Sequence, residues 1–140
     1  MTKETLQKIQ SELKAPKGQT NKFGGYSYRS AEDILEAVKP LLTKHKATLT
    51  ISDDIVEVGG RVYVKAMAIL TSLESDVNLG VTAFAREALT KKGMDEAQIT
   101  GSASSYARKY ALNGLFCIDD TKDPDATNTH GKDKPQDLDF

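Results

Sequence analysis

Apolar residues at the start of the chain recur at the spacing of one helix face. This stripe consists of Leu6, Ile9 and Leu13. It predicts a helix over residues 2–14 that ends before Pro16, because the residue preceding a proline disfavours helical geometry. Residues 17–25 are rich in glycine and polar side chains, which predicts a loop. Residues 26–29 alternate in character and predict a short strand.

A second helical stripe follows Ser30, which predicts an N-cap with Asp33 as its acidic partner three residues later. The apolar positions of this stripe are Ile34, Leu35, Val38, Leu41 and Leu42. Pro40 lies inside the pattern, so we expect it to kink the helix or to end it near Lys39. His45 is expected to be a polar residue at the helix C-terminus.

The middle of the chain changes to a period of two, which predicts strands over residues 48–58, 61–72 and 77–87. Gly59-Gly60 suits a two-residue hairpin turn, and this turn pairs Val58 with Arg61. One face is then apolar, with Leu49, Ile51, Ile55, Val62, Val64, Ala66, Ala68, Leu70, Val77, Leu79, Val81, Ala83 and Ala85. The opposite face includes Arg61, Tyr63, Lys65, Phe84 and Arg86.

The last periodic segment predicts a long helix from about Asp95 to Phe116. Its stripe consists of Ile99, Ala103, Tyr106, Ala107, Tyr110, Ala111, Gly114, Leu115 and Ile118. Most of these residues are small, so the helix can approach its neighbour closely, with Arg108 and Lys109 beside the stripe. The order helix, helix, β-β-β, helix predicts an α+β domain, an antiparallel meander with one face covered by helices.

Charge is distributed unevenly along the 140 residues. Residues 1–118 carry 16 Lys and Arg against 13 Asp and Glu, whereas residues 119–140 carry 3 Lys against 7 Asp. The second segment has almost no apolar residues. We therefore expect one folded domain over residues 1–118 and an acidic, disordered tail over residues 119–140. No secretory signal or long apolar run is present, which favours a soluble intracellular protein that contacts no membrane.

Patterns typical of enzymes are missing from the sequence. It contains no glycine-rich phosphate loop and no Gly-x-Ser-x-Gly elbow, and its two histidines lie apart from any nucleophile. The single cysteine, Cys117, forms no internal disulfide and is expected to be a small core residue. The acidic run after residue 118 lacks the pattern of a calcium loop. We expect no catalytic residues, no metal and no cofactor.

Basic and aromatic residues alternate on the polar face of the strands, in the order Arg61, Tyr63, Lys65. Proteins that bind single-stranded nucleic acid need cations for the phosphates and rings for the bases. Phe84 and Arg86 lie on the adjoining strand. The candidate phosphate contacts are Arg61, Lys65, Arg86, Lys91, Lys92, Arg108 and Lys109, and the candidate stacking residues are Tyr28, Tyr63 and Phe84.

Two segments resemble the ERF (essential recombination function) family of phage single-strand annealing proteins. One is residues 23–42, with Tyr28-Arg29 before the second helix, and the other is residues 101–116, with Tyr106-Ala-Arg-Lys-Tyr110 and the acidic pair Asp119-Asp120 after it. The resemblance implies a β-β-β-α core like that of the eukaryotic ring-forming annealing protein. It also implies binding of single-stranded DNA, assembly into rings or filaments, and annealing without ATP in the cytoplasm of a bacterial host.

Tyr28, Arg108 and Lys109 match the motifs of this resemblance, which adds Arg29 to the candidate DNA contacts. It leaves open whether Tyr106 and Tyr110 serve packing, subunit contacts or DNA. Two other functions stay open. One is a passive single-strand binder that does not anneal. The other is an adaptor whose acidic tail recruits a host or phage replication or recombination protein, for instance through residues 137–140.

Overall fold

The three long strands form an antiparallel meander that is covered on one face by helices, as the alternating segments predict. The computed structural model describes residues 2–21 and 24–119. In chain order its elements are α1 (Thr2–Glu12), β1 (Gln19–Asn21), β2 (Tyr26–Tyr28), α2 (Ala31–Lys44), β3 (Ala47–Val58), β4 (Arg61–Ser72), β5 (Asn78–Arg86) and α3 (Glu96–Phe116). The sheet order is β3-β4-β5, and β1 pairs with β2 in a separate hairpin.

The Gly59-Gly60 turn sets the register between β3 and β4. Both glycines have positive φ, 59° and 78°, which a two-residue hairpin turn requires and which a Cβ would disfavour. Val58 therefore pairs with Arg61, as predicted. Because side chains alternate along a strand, this register separates a covered face, which contains Val64 and Leu70, from an open face, which contains Tyr63 and Lys65.

Helix α3 lies on the covered face, and small residues allow a close approach. Its buried apolar residues are Ile99, Ala103, Ala107, Ala111, Leu112, Leu115 and Phe116. They pack with Val64, Ala66, Ala68 and Leu70 of β4. Near the end of the helix, a Cβ added to Gly114 would lie 2.9 Å from Cγ1 of Val81 on β5. The absence of a side chain at residue 114 is therefore required for the observed contact between helix and strand.

Helices α1 and α2 cover the rest of the core, and hydrogen bonds attach them at their ends. Gln10 Nε2 donates to the Leu115 carbonyl at 2.8 Å, which joins α1 to α3. Ser30 caps α2, as predicted: its hydroxyl accepts from the Asp33 N–H at 3.1 Å, and its own N–H donates to the Asp33 carboxylate at 2.8 Å. The hydrogen bond from the Ser30 backbone lowers the pKa of Asp33 below its usual value.

Three local predictions are wrong. The first is the end of α2 near Lys39, because the helix continues through Pro40 to Lys44, where Pro40 is exposed and the apolar stripe on the opposite side continues to pack. Strand β1 forms within the predicted loop of residues 17–25 by pairing with β2. Cys117 is exposed rather than buried, because it ends α3 in the left-handed region, with φ of 60°. The Ile118 N–H donates to the Asn113 carbonyl at 2.9 Å, so the chain turns back at this point.

His45 is the C-cap of α2, as expected, and its Nε2 lies 3.1 Å from Glu12 Oε1 on α1. Hydrogen bonds from Lys44 and His45 lower the pKa of Glu12. No helix within the described ranges is long and apolar enough to span a bilayer. The predicted tail of residues 119–140 lies outside the described residues from Asp120 onward, as does the proposed contact of residues 137–140 with a partner.

Candidate nucleic-acid interface

A groove of about 410 Å³ runs between the outer edge of β5 and α3. We call it the β5–α3 groove, and its lining residues are Phe84, Ala85, Arg86, Ala88, Lys91, Ile99, Ser102, Ala103, Tyr106 and Tyr110. Three aromatic side chains in it are about half exposed, namely Phe84 (51%), Tyr106 (49%) and Tyr110 (45%). Such exposure is unusual for large apolar rings and leaves their faces open to a ligand.

The two periods of the sequence place these rings. Tyr106 and Tyr110 are one helical turn apart on α3, and their ring centroids are 6.1 Å apart at an interplanar angle of 34°. Phe84 and Arg86 are alternate residues of β5 and so point to the same side of the strand. The small residues of α3 allow the helix to lie close to the sheet, and Tyr106 and Tyr110 form one wall of the groove.

The open face of the sheet extends this surface beyond the edge strand. Lys65 pairs with Phe84 across β4 and β5, and Tyr63 pairs with Arg86. Directly opposite residues lie about 4.5–5.5 Å apart at their Cβ atoms, so these four side chains form one cluster of two rings and two cations. Asp54, which pairs with Lys65 from β3, is the single carboxylate on the open face of the three strands.

Five of the predicted phosphate contacts make no ion pair with any residue of the described ranges 2–21 and 24–119. They are Arg61, Lys65, Arg86, Lys91 and Lys92. No carboxylate lies within ion-pair distance of these charges there, although Asp54 is the cross-strand neighbour of Lys65. Arg86 and Lys91 line the groove directly, Lys65 lies one strand away, and Lys92 lies on the loop before α3. A polyanion in the groove would meet these last four cations without displacing an internal partner.

Arg108 lies on the other side of α3, facing β3, where it pairs with Asp53. Its Nε is 3.1 Å from Oδ1 and 3.3 Å from Oδ2 of that carboxylate. The Ser104 hydroxyl donates to the same carboxylate. Arg108 therefore attaches α3 to β3, and a phosphate would have to compete with Asp53 for it.

Arg61 is also held by internal contacts. Its Nη2 donates to the Glu87 carbonyl at 3.1 Å, and its Nε is buried with no hydrogen-bond partner among the described residues. The Glu87 carboxylate accepts from the Thr100 hydroxyl at 2.6 Å. Arg61 thus connects the hairpin end of β4, through residue 87, to the first turn of α3.

Lys109, Tyr28 and Arg29 form a separate cluster near the C-terminal half of α3. Lys109 is only 9% exposed, and its Nζ lies 5.3 Å from the ring centroid of Tyr28 and 6.0 Å from that of Tyr106. A cation within about 6 Å of a ring face is attracted to it. Arg29 donates from Nε to the Ala15 carbonyl at 2.7 Å and from Nη1 to the Asp119 carbonyl at 3.0 Å.

The structure thus brings together five of the predicted residues on one surface, which are Tyr63, Lys65, Phe84, Arg86 and Lys91. It places Arg61, Arg108, Tyr28 and Arg29 elsewhere, and it places Lys109 beside this surface, between the rings of Tyr28 and Tyr106. Sequence reasoning did not include Tyr106 and Tyr110 among the candidate site residues, although both lie at the edge of the α3 stripe and line the groove. No cluster of His, Cys, Asp or Glu suited to a metal ion occurs in the part of the chain that the structure describes.

The fold and the site together define a small α+β domain with a basic, aromatic groove along one edge of its sheet. The family model of the ERF superfamily matches residues 2–137, so this chain belongs to the ERF superfamily. It is 59% identical over 120 residues to the essential recombination function protein of Salmonella phage P22. That match covers 86% of this chain but 57% of the relative, so the chain spans less than two thirds of the relative's length. No solved structure matches it.

Proposed function

We propose that this protein binds single-stranded DNA and anneals complementary strands without ATP during phage recombination. The recombination role is supported by membership of the ERF superfamily and by the similarity to the P22 protein. The binding role is supported by the β5–α3 groove. The observation that carries it is the juxtaposition of three half-exposed aromatic rings with the cations Arg86 and Lys91, which no carboxylate in the described residues pairs.

The chemistry of the groove fits a single strand better than a duplex. Bases are free to stack on Phe84, Tyr106 and Tyr110 only when they are unpaired, and stacking contributes about 1–3 kcal/mol per base. Arg86 and Lys91 would neutralise phosphates, and Lys65 and Tyr63 would extend the path onto the open face. Strands held by backbone and stacking contacts present their hydrogen-bonding edges to a second strand, so pairing needs no nucleotide hydrolysis.

Assembly completes the proposal. A single groove is short, so several subunits in a ring or filament would be needed to hold a strand long enough to pair stably. We place this activity in the cytoplasm of the bacterial host, where phage DNA is recombined. The protein would act as a binding and annealing protein rather than as an enzyme.

The test is the annealing of two complementary fluorescent oligonucleotides without ATP, followed by energy transfer. We expect the wild type to accelerate pairing and the groove variant Arg86→Ala/Lys91→Ala to lose most of this acceleration. Arg108→Ala is the matched control, since it removes a cation that already pairs with Asp53. If the wild type binds single strands without accelerating pairing, the protein is a passive binder. If the groove variant anneals like the wild type, the strand does not lie in this groove.

A further inference from the structure

A second groove lies between α2 and β3, and its lining is apolar below and acidic at the rim. Leu35, Val38, Leu42 and Leu49 provide the apolar lining. Glu32, Asp33 and Glu36 provide the acidic rim, and Lys39 pairs with Glu36 at 2.7 Å. We call this the α2–β3 groove, and its volume is about 650 Å³. Glu32 makes no ion pair with any residue that the structure describes, so the rim carries uncompensated negative charge.

The loop between β5 and α3 has the complementary chemistry. Leu89 is 75% exposed and Met94 is 37% exposed, and Lys91 and Lys92 lie between them. A turn holds this segment in shape, because the Met94 N–H donates to the Lys91 carbonyl at 3.1 Å and Gly93 adopts a φ of 82°. We call residues 89–94 the 89–94 loop. It presents Leu89 and Met94 with the two lysines between them, and the acids Asp95 and Glu96 follow at the start of α3. The lysines are the part of this surface that matches the acidic rim of the α2–β3 groove.

The loop cannot reach the groove of its own chain. Leu89 lies against Gly60 and Val62, at the hairpin end of β4, whereas Leu49 of the groove pairs with Leu70, near the other end of that strand. Eight residues of strand separate Val62 from Leu70, which is about 26 Å at roughly 3.3 Å per residue. The groove and the loop therefore lie at opposite ends of the sheet, and each can meet the other only on a second molecule.

We propose that the 89–94 loop of one copy of this chain docks in the α2–β3 groove of the next copy. Leu89 would enter the apolar lining, and Lys92 would pair with the acidic rim at Glu32. Because the two surfaces differ, the contact is head-to-tail and repeats into a closed ring or an open filament. This inference supplies the interface for the assembly invoked in the proposed function, but its test measures subunit association and not annealing.

The experiment uses two variants of the full chain, each altered on one surface. Leu89→Asp alters the loop, and Glu32→Lys/Glu36→Lys alters the groove rim. Sedimentation velocity of the wild type should show assemblies larger than a dimer, and each variant alone should be monomeric. An equimolar mixture should give dimers and nothing larger, because one intact loop and one intact groove remain and each pair forms a single contact.

Two controls exclude the possibility that assembly is lost because a charge was added to the surface or because the protein is unfolded. Leu73→Asp changes a leucine that is 66% exposed and lines neither surface, so it should assemble like the wild type. Circular dichroism should be unchanged in both interface variants, which separates lost assembly from lost folding. In a charge exchange, Lys92→Glu should weaken assembly and its combination with Glu32→Lys should restore it.

Three results would overturn the proposal. The first is a wild type that sediments as a monomer, and the second is continued assembly of either single-surface variant. The third is a mixture of monomeric variants that forms no dimer, which would show that the loop and the groove do not bind each other. The second and third results leave the DNA-binding role untouched, because binding by the β5–α3 groove is measured separately on a short oligonucleotide. A monomeric wild type would also contradict the assembly invoked in the proposed function.

Discussion

The two sides of α3 differ in whether the polar and charged side chains beside them have internal partners. On the β3 side, Arg108 and Ser104 are both bonded to Asp53. On the β5 side, Tyr106 and Tyr110 are about half exposed, and Arg86 and Lys91 have no carboxylate partner among the described residues. One side therefore fastens the helix to the sheet, and the other side is left open to a ligand.

The position of a single carboxylate determines whether a neighbouring cation is available to bind a phosphate. A phosphate that approaches Arg108 gains a charge-assisted hydrogen bond only by breaking one of similar kind with Asp53. A phosphate that approaches Arg86 or Lys91 displaces only water and counterions, and the released counterions favour binding. Equal numbers of basic residues on the two sides would therefore not contribute equally to DNA affinity.

The largest expected effect is on the open side. Replacement of Tyr106 by alanine should weaken binding of a short single-stranded oligonucleotide by about 1–3 kcal/mol, or about 5- to 150-fold in Kd, because a stacking surface is lost. Fluorescence anisotropy measures this change. Tyr106→Phe keeps the ring and should bind like the wild type. Equal affinity of Tyr106→Ala and the wild type would contradict the assignment of this side to DNA.

The next effect concerns how closely α3 lies on β5. Gly114→Ala should destabilise the fold by up to about 2 kcal/mol, because overpacking against Val81 costs about 1–3 kcal/mol and alanine returns about 1 kcal/mol of helix propensity. Urea unfolding gives this free energy. The double variant Gly114→Ala/Val81→Ala should be more stable than the two single effects together indicate. Strict additivity would show that the two residues do not clash.

A smaller effect, about 1 kcal/mol on the free energy of unfolding, is expected from a substitution at α2, away from both sides of α3. Ser30→Ala removes the N-cap of α2 and should lower the free energy of unfolding by that amount at neutral pH. In the wild type the pKa of Asp33 is lowered in the folded state from 3.8. The stability it contributes is therefore present above about pH 4 and is lost as the pH falls through the folded pKa.

Urea titrations at pH 7 and at pH 3 measure this dependence. The difference in stability between the wild type and Ser30→Ala should shrink at the lower pH, because the Ser30 hydroxyl also lowers the pKa of Asp33 and this contribution is lost once Asp33 is protonated. The backbone N–H of residue 30 donates to Asp33 in both proteins and cancels in the difference. An unchanged difference would show that the capping box does not depend on the charge of Asp33. DNA affinity should be the same for both proteins at pH 7, since residue 30 is not in the β5–α3 groove.

The smallest effect is expected on the fastened side. Arg108→Ala should cost at most about 1 kcal/mol of stability, because the pair with Asp53 is partly solvated, with side chains 40% and 25% exposed. It should change the Kd for single-stranded DNA by less than about twofold, since a contact already satisfied internally is absent from the binding surface. A loss of affinity equal to that of Arg86→Ala/Lys91→Ala would break the distinction between the two sides of α3.

Local pattern was sufficient to predict much of the fold. The period of two and the Gly59-Gly60 turn predicted the three strands and their register, and Ser30 with Asp33 predicted the start of α2. Each of these signals acts within a few residues. Pro40 shows the limit of such local rules, since the packing of the whole stripe outweighed the missing hydrogen bond of one exposed proline.

The division of α3 into two sides could not be predicted from local pattern, because it depends on residues distant in the sequence. Asp53 is two residues after Ile51 and four after Leu49, so its side chain lies on the same, covered face of β3. The sequence prediction for that face listed only apolar residues and therefore left Asp53 out. A carboxylate on the face toward α3 can pair with a cation of that helix, and this was the missed signal for Arg108. The burial of Lys109 against Tyr28 is likewise a contact between distant segments that no period reveals.

The alanines on the buried face of α3 affect how the shape of the β5–α3 groove can change. Tyr106 and Tyr110 line the β5–α3 groove, and buried Ala103, Ala107 and Ala111 set how closely α3 lies on the sheet. Enlarging one of these alanines would lift the helix and reshape the groove without altering any side chain that lines it, except Ala103. Under the proposed function, selection for tighter or weaker DNA binding can therefore act on residues buried beneath the helix.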